Sequence, residues 1–279
     1  LYSITGAINY NVAVGNGALY SNTGVAGLTA IGYQALYSNT SGNANTANGF
    51  QVLYNNSTGN DNTAVGYETL KANNTGSDNT ANGFRALWNN TTGSRNIAIG
   101  STALFSNTSG NDNTATGINA LQNNINGLLN CAFGNQALFS NADGFENTAT
   151  GYQALYSNTT GNMNTGYGSA TLFYNISGNE NTAVGFAALQ NNVSGNTNAA
   201  FGKYALAHNV LGYSNTGMGV SALLLNSTGN NLVAIGDSAL LNQNGGVGKN
   251  TAVGSKSLYS NTTGYANTSN GFQSLYSNV

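Results

Sequence analysis

Glycine returns every 17 residues along almost the whole chain, at Gly15, Gly32, Gly49, Gly66, Gly83, Gly100, Gly117, Gly134, Gly151, Gly168, Gly185, Gly202, Gly219 and Gly236. A one-residue insertion near residue 245 then shifts the register, and Gly254 and Gly271 complete sixteen copies. A fixed period of this length marks a solenoid, in which each repeat is one coil stacked on the next. The residues therefore predict one repeat array over 1–279. Leu1-Tyr2-Ser3 and Leu275-Tyr276-Ser277 occupy the same point of the repeat, which reads as a window cut from a longer array.

The columns of the repeat indicate what each coil buries. Four residues after the marker glycine every copy carries Leu: Leu19, Leu36, Leu53, Leu70, Leu87, Leu104, Leu121, Leu138 and Leu155 in the first nine. Two before the glycine, and again one before the Leu, the residue is nearly always small, as at Ala64, Ala98, Ala86 and Ala120. Only small side chains fit where the two layers of a flattened coil nearly touch, and one Leu fills the remaining space. The segment Thr-Ala-x-Gly alternates in and out and predicts a short strand. A second short strand is expected around the Leu. Asn and Gly are too dense, and the runs too short, for any helix. The fold class expected is all-β, a parallel β-solenoid or β-roll of sixteen 17-residue coils.

The remainder of the coil reads as turn. Asn stands seven residues after the marker glycine in fifteen of sixteen copies, Asn56, Asn90, Asn107 and Asn158 among them, with Gln243 the exception. A second Asn column precedes the Thr, as at Asn45, Asn62 and Asn79, and a second glycine column lies between, at Gly59, Gly76 and Gly93. Asn and Gly both tolerate left-handed backbone, and stacked Asn side chains can form amide ladders. The absence of proline agrees, because nearly every backbone N–H of a stacked solenoid bonds a neighbouring coil.

The 16 Tyr, 10 Phe and 1 Trp are not scattered. One aromatic column follows the marker glycine, at Tyr33, Phe50, Tyr67 and Phe84, and another follows the Leu, at Tyr37, Tyr54, Trp88 and Tyr156. A core of Ala, Gly and one Leu has no room for both. At least one column should lie outside the single-chain core, as an interface with another copy or a ligand face, for instance for a glycan.

Charged residues make up 5% of the chain, six basic against eight acidic, for a net charge of −2. No basic stripe exists to neutralise phosphates, which argues against a nucleic-acid partner. The apolar runs are far shorter than the ~20 residues that span a bilayer, so no membrane insertion is expected within this segment. No metal, cofactor or catalytic group is expected. Asp61, Asp78, Asp112, Glu146 and Glu180 share one column but give at most one carboxylate per coil, too few for a calcium-binding roll. His208 and Cys131 are single, with no recurring partner, and read as a turn residue and a small packed side chain. Gly245-Gly246-Val247-Gly248-Lys249 hints at a phosphate loop, but Gln243 and Asn250 break its pattern, and a bulged turn explains it. Asn-x-Ser/Thr sequons at Asn39, Asn56, Asn90, Asn107, Asn158, Asn175, Asn192, Asn226 and Asn261 are potential glycosylation acceptors, although the turn chemistry produces them anyway.

The motifs Asn62-Thr63-Ala64-Val65-Gly66, Asn96-Ile97-Ala98-Ile99-Gly100 and Asn181-Thr182-Ala183-Val184-Gly185 resemble the head repeats of trimeric autotransporter adhesins, with one residue fewer between Asn and Gly. The coil here is also longer than the usual head repeat. The resemblance implies a left-handed β-roll, three chains around a threefold axis, and a bacterial cell-surface adhesin that binds host matrix protein, other cells or surface glycans. The same repeats would suit a phage tail fibre or another extracellular filament. Two further functions are weighed. A monomeric ice-binding solenoid is suggested by Thr at eleven of sixteen positions three before the glycine, although the partner column is mixed. A polysaccharide lyase or hydrolase would need clustered acids or bases that the repeat lacks. The reading is a non-enzymatic extracellular fibre segment, homotrimeric or packed against filament neighbours, with ice or carbohydrate binding as the alternative.

Overall fold

The structure, a computed structural model, describes residues 10–245 and 248–278. Leu1-Tyr2-Ser3, and Gly246 and Val247 of the apparent phosphate loop, lie outside the described residues. The chain divides at Asp143/Gly144 into two compact units. The described residues contain strands and turns and no helix.

Every repeat contributes one three-residue strand. In the first unit β1 to β8 are Val12–Val14, Thr29–Ile31, Thr46–Asn48, Thr63–Val65, Thr80–Asn82, Ile97–Ile99, Thr114–Thr116 and Cys131–Phe133. In the second unit β9 to β16 are Thr148–Thr150, Thr165–Tyr167, Thr182–Val184, Ala199–Phe201, Thr216–Met218, Val233–Ile235, Thr251–Val253 and Thr268–Asn270. Within each unit the strands pair in chain order, parallel and in register, so that Thr63, Ala64 and Val65 of β4 face Thr80, Ala81 and Asn82 of β5. The insertion is absorbed between β14 and β15, where Val233 still pairs with Thr251. The chain is an all-β parallel solenoid, as the periodicity predicts, with one strand per coil.

Alternation places the middle residue of each strand inward. Ala30, Ala47, Ala64 and Ala98 are fully buried, and so are Ala86 and Ala120 from the opposing layer. The Leu column from Leu19 to Leu155, with Leu172, Leu189 and Leu206 beyond it, has at most 1% of its surface exposed. Burying each such side chain contributes roughly 1.5–3 kcal/mol.

The expected second strand around the Leu does not form. Residues 101–106 and their equivalents are turns, and the leucines are left-handed, with φ of 49° at Leu36, 51° at Leu104 and 54° at Leu155. Left-handed backbone costs a non-glycine residue about 1–2 kcal/mol. Leu accepts it because the position must fill the apolar interior, which neither Gly nor Asn can do. Its N–H also bonds the next coil, as from Leu87 to the Ala103 carbonyl at 3.0 Å. The residue two before Leu and the residue before the second Asn column are left-handed too, as at Glu68 (52°) and Asp61 (55°).

The two Asn columns, by contrast, do not adopt left-handed backbone. They are core. Asn39, Asn56, Asn73, Asn90, Asn107 and Asn124 are fully buried, as are Asn45, Asn62, Asn79, Asn96 and Asn113. From Asn56 to Asn261 the Asn107-type amides donate to the preceding coil's ladder residue and to a carbonyl of their own coil, as Asn107 Nδ2 reaches Asn90 Oδ1 at 2.8 Å and Gly110 O at 3.0 Å, whereas Asn22 Nδ2 is buried without a partner. The second ladder is built alike. Asn96 Nδ2 reaches Asn79 Oδ1 at 3.2 Å and the same Gly110 carbonyl at 2.8 Å, and Asn96 Oδ1 accepts from the N–H and Nδ2 of Asn113. One glycine carbonyl per coil thus joins both ladders. Gly76, Gly93 and Gly110 are needed for clearance rather than for positive φ: a Cβ on Gly76 would lie 2.5 Å from Asn73 Oδ1.

Where the repeat departs from its consensus, the ladders adjust. Leu28 and Leu232 replace the second-column Asn and are fully buried; their N–H groups still bond Asn11 Oδ1 (2.8 Å) and Asn215 Oδ1 (3.0 Å). Gln243 stands beside the insertion, and its longer side chain reaches Gly245 O at 2.5 Å while accepting from Asn250 at 3.0 Å and Asn261 at 2.5 Å.

Candidate functional site

Both aromatic columns lie outside the interior. Tyr33, Phe50, Tyr67 and Phe84 are exposed, while Tyr37, Tyr54, Trp88 and Tyr156 are half-buried. The coil repeat stacks them ring on ring. Tyr33, Phe50, Tyr67 and Phe84 form one pile with centroids 5.3, 5.0 and 5.5 Å apart and planes within 14°. Tyr20, Tyr37 and Tyr54 form another at 4.8 and 5.1 Å, and Trp88 stacks on Phe105 at 5.3 Å. In the second unit Tyr156 stacks on Phe173 and Tyr259 on Tyr276, each pair at 5.0 Å.

This geometry bears on the ligand-face reading. Tyr37, Phe50 and Tyr67 each have a ring on both sides, so what they turn to solvent is chiefly edge. Sugars stack on aromatic faces, and in these piles the faces are taken.

A polar column runs between the two piles. Arg85 shows the neighbourhood: its guanidinium lies 5.0 Å from the Phe84 centroid and 5.8 Å from that of Trp88. Gln34 accepts a 2.7 Å hydrogen bond from Gln51 in the same column. Where Gly17 replaces the column's larger residue, a recess of about 580 Å³ opens against Tyr20, Gln34 and Tyr37. Glu68 is nearly buried, 2.6 Å from Lys71 Nζ and 2.8 Å from Arg85 Nε. Burial alone would raise its carboxyl; the hydrogen bonds from Lys71 and Arg85 outweigh this and hold it below the usual range. Lys71 takes the aromatic position in its coil and separates the Tyr pile from Trp88, whose buried indole Nε1 finds no hydrogen-bond partner.

The strands turn a further row outward. On one side of the buried Ala this row is mostly Thr; on the other Val65, Ile99, Phe133, Tyr167, Phe201, Met218 and Ile235 are exposed, interrupted by Asn48, Asn82, Thr116, Thr150 and Asn270. That row is separated from the Tyr33–Phe84 column only by the marker glycine, and together they form a stripe of exposed apolar clusters on each unit, broken by polar residues such as Asn82, Ser101, Asn135 and Lys203. Periodicity alone did not single out this strand row, although its aliphatic bias was visible in Val65, Ile99 and Ile235.

The remaining candidates fall as follows. Asp61, Asp78, Glu146 and Glu180 are exposed on the turn edge, and Asp112 is half-buried in an ion pair with Arg95, at 2.6 Å, that lowers its carboxyl. His208 is exposed. Cys131 is half-buried at a Thr position, and burial pushes its thiol up. Among the described residues no group of three or more His, Cys, Asp or Glu is placed to hold a metal, and no helix is long and apolar enough to cross a membrane. The sequon asparagines are a correction to the glycosylation reading. Asn39, Asn56, Asn90, Asn107, Asn158, Asn175, Asn192, Asn226 and Asn261 are all fully buried, and the Nδ2 that would carry the sugar donates inside the ladder, as at Asn56 and Asn175. A glycan there is incompatible with the closed coil. No protein-family model matches this chain, and no curated protein is detectably similar to it.

Proposed function

We propose that this chain is a non-enzymatic segment of an extracellular fibre, adhesive or structural in role, whose coils assemble side by side with further copies. The observation that carries this reading is the apolar stripe of Val65, Ile99 and Phe133 beside Tyr33, Phe50, Tyr67 and Phe84, exposed throughout. Contiguous exposed apolar clusters of this kind mark interaction sites. A copy of the same repeat has the same spacing, so a stripe can be covered along its length by its equivalent. Three copies around a threefold axis, with the left-handed coil sense of the adhesin head repeats, are the arrangement the motif resemblance favours. Host matrix protein is the corresponding ligand class, since the rings within the piles leave no free faces on which a surface glycan would stack.

The test places one charge in the stripe. Ile99→Asp should release monomers in sedimentation-velocity runs and weaken attachment of the segment to matrix-coated surfaces. Thr91→Asp, on an exposed turn, should do neither. Equal behaviour of the two variants would overturn the assignment of this face.

A further inference from the structure

We propose that the consecutive tyrosines Tyr20, Tyr37 and Tyr54, and separately Tyr259 and Tyr276, are sites of oxidative cross-linking that join successive coils through dityrosine bonds. Tyr20 and Tyr37 lie 4.8 Å apart with planes 2° from parallel, Tyr37 and Tyr54 5.1 Å and 9°, and Tyr259 and Tyr276 5.0 Å and 3°. Identical positions of the repeat hold the equivalent ring carbons in register. Tyr20 and Tyr276 are exposed and the others half-buried, so a small oxidant in solvent reaches these stacks.

The chemistry needs two one-electron oxidations. Each phenol gives up one electron and its hydroxyl proton, and the two tyrosyl radicals pair at the ring carbons ortho to oxygen to form one C–C bond. Each of those carbons then loses its proton as the ring regains aromaticity and its oxygen is reprotonated. The net loss is two electrons and two protons per bond. The oxidant is of the peroxide or persulfate class; one hydrogen peroxide accepts both electrons and both protons and leaves as two waters. Holding the partners side by side replaces a bimolecular encounter by an intramolecular one.

The neighbouring column supplies an internal control. There Tyr and Phe alternate, so Tyr33 and Tyr67 are separated by Phe50. Tyr33 and Tyr67 therefore do not stack directly, although both rings are exposed.

The experiment is photo-oxidation of the 279-residue chain with a ruthenium tris-bipyridyl complex and persulfate, read by dityrosine fluorescence and by mass spectrometry of cross-linked peptides. The expected products, each two hydrogens lighter than its parts, join Tyr20 to Tyr37, Tyr37 to Tyr54, and Tyr259 to Tyr276. Their yield should be unchanged on hundredfold dilution. Tyr37→Phe should abolish the first two products and leave Tyr259–Tyr276 intact. Tyr33→Phe should change nothing. Cross-links spread over the tyrosines without preference for these pairs would overturn the proposal, as would products that vanish on dilution or survive undiminished in the unfolded chain.

Discussion

Asn107→Leu probes the contribution of the buried amide ladder, because Leu keeps the branched four-heavy-atom shape of Asn while removing its polar atoms. Asn107 gives and receives three side-chain hydrogen bonds: to Asn90 Oδ1 and Gly110 O, and from Asn124 Nδ2. The Gly110 carbonyl still accepts from Asn96 after the change, and Asn124 keeps its bond to Gly127. Asn90 Oδ1 and one Asn124 proton are left without those partners. At about 1–3 kcal/mol for each orphaned buried group, the cost is roughly 2–6 kcal/mol. In a stacked array the loss is felt locally, so the assay is native-state hydrogen exchange. A cost near ~4 kcal/mol corresponds to about a thousandfold faster exchange at the N–H groups of Leu87, Leu104 and Leu121. Asn82→Leu, on the exposed strand face, should leave those rates unchanged. If Asn107→Leu slowed exchange or changed it less than tenfold, the ladder would not be what holds the coils in register.

Three other outcomes follow from the same geometry. Ala44 is exposed with φ of 53°, so Ala44→Gly should be neutral or stabilise by up to ~1 kcal/mol in urea titrations, the reverse of the usual penalty for glycine. Gly117→Ala should cost at least ~2 kcal/mol, since its φ is 136° and a Cβ would lie 2.6 Å from the Gly134 carbonyl carbon and oxygen; thermal unfolding measures this. Glu68 has its carboxyl pKa lowered in the folded state, so its stabilising effect is present above the unfolded-state pKa and is lost as pH falls through the lower folded value. The melting temperature should therefore hold between about pH 7 and pH 5 and decline below the ordinary glutamate range, with Glu68→Gln less stable at neutral pH and shallower in its acid response.

Much of the fold is legible because sixteen copies of one coil average out local exceptions. The Leu column, the small columns and the Thr-Ala-x strand follow directly from period and alternation. The backbone around the Leu does not, because Leu is a residue that local preference assigns to helix or strand and not to left-handed turns. Tertiary burial overrides that preference at Leu104 and its equivalents. The asparagines mislead in the opposite sense: a polar residue beside glycine suggests a solvent turn, whereas Asn107 and Asn96 are core. A signal was present all the same. A solvated turn would accept Asp or Ser as readily, but only an amide both donates and accepts along a stack, and the position three residues after the Leu is Asn in every copy except that of Gln243. In the aromatic columns, spacing shows that Tyr37 and Tyr54 recur. It does not show that their faces are covered by each other, which depends on side-chain direction.

The central claim, that this chain is a fibre segment assembled through its apolar stripe, is tested most directly by the native mass of the 279-residue chain in light scattering. Assembly around a threefold axis predicts three times the 28.5 kDa chain, or 85.5 kDa, holding on dilution through the micromolar range. A stable 28.5 kDa monomer would contradict it, leaving the stripe of Val65, Ile99 and Phe133 open to solvent and requiring another partner to explain it.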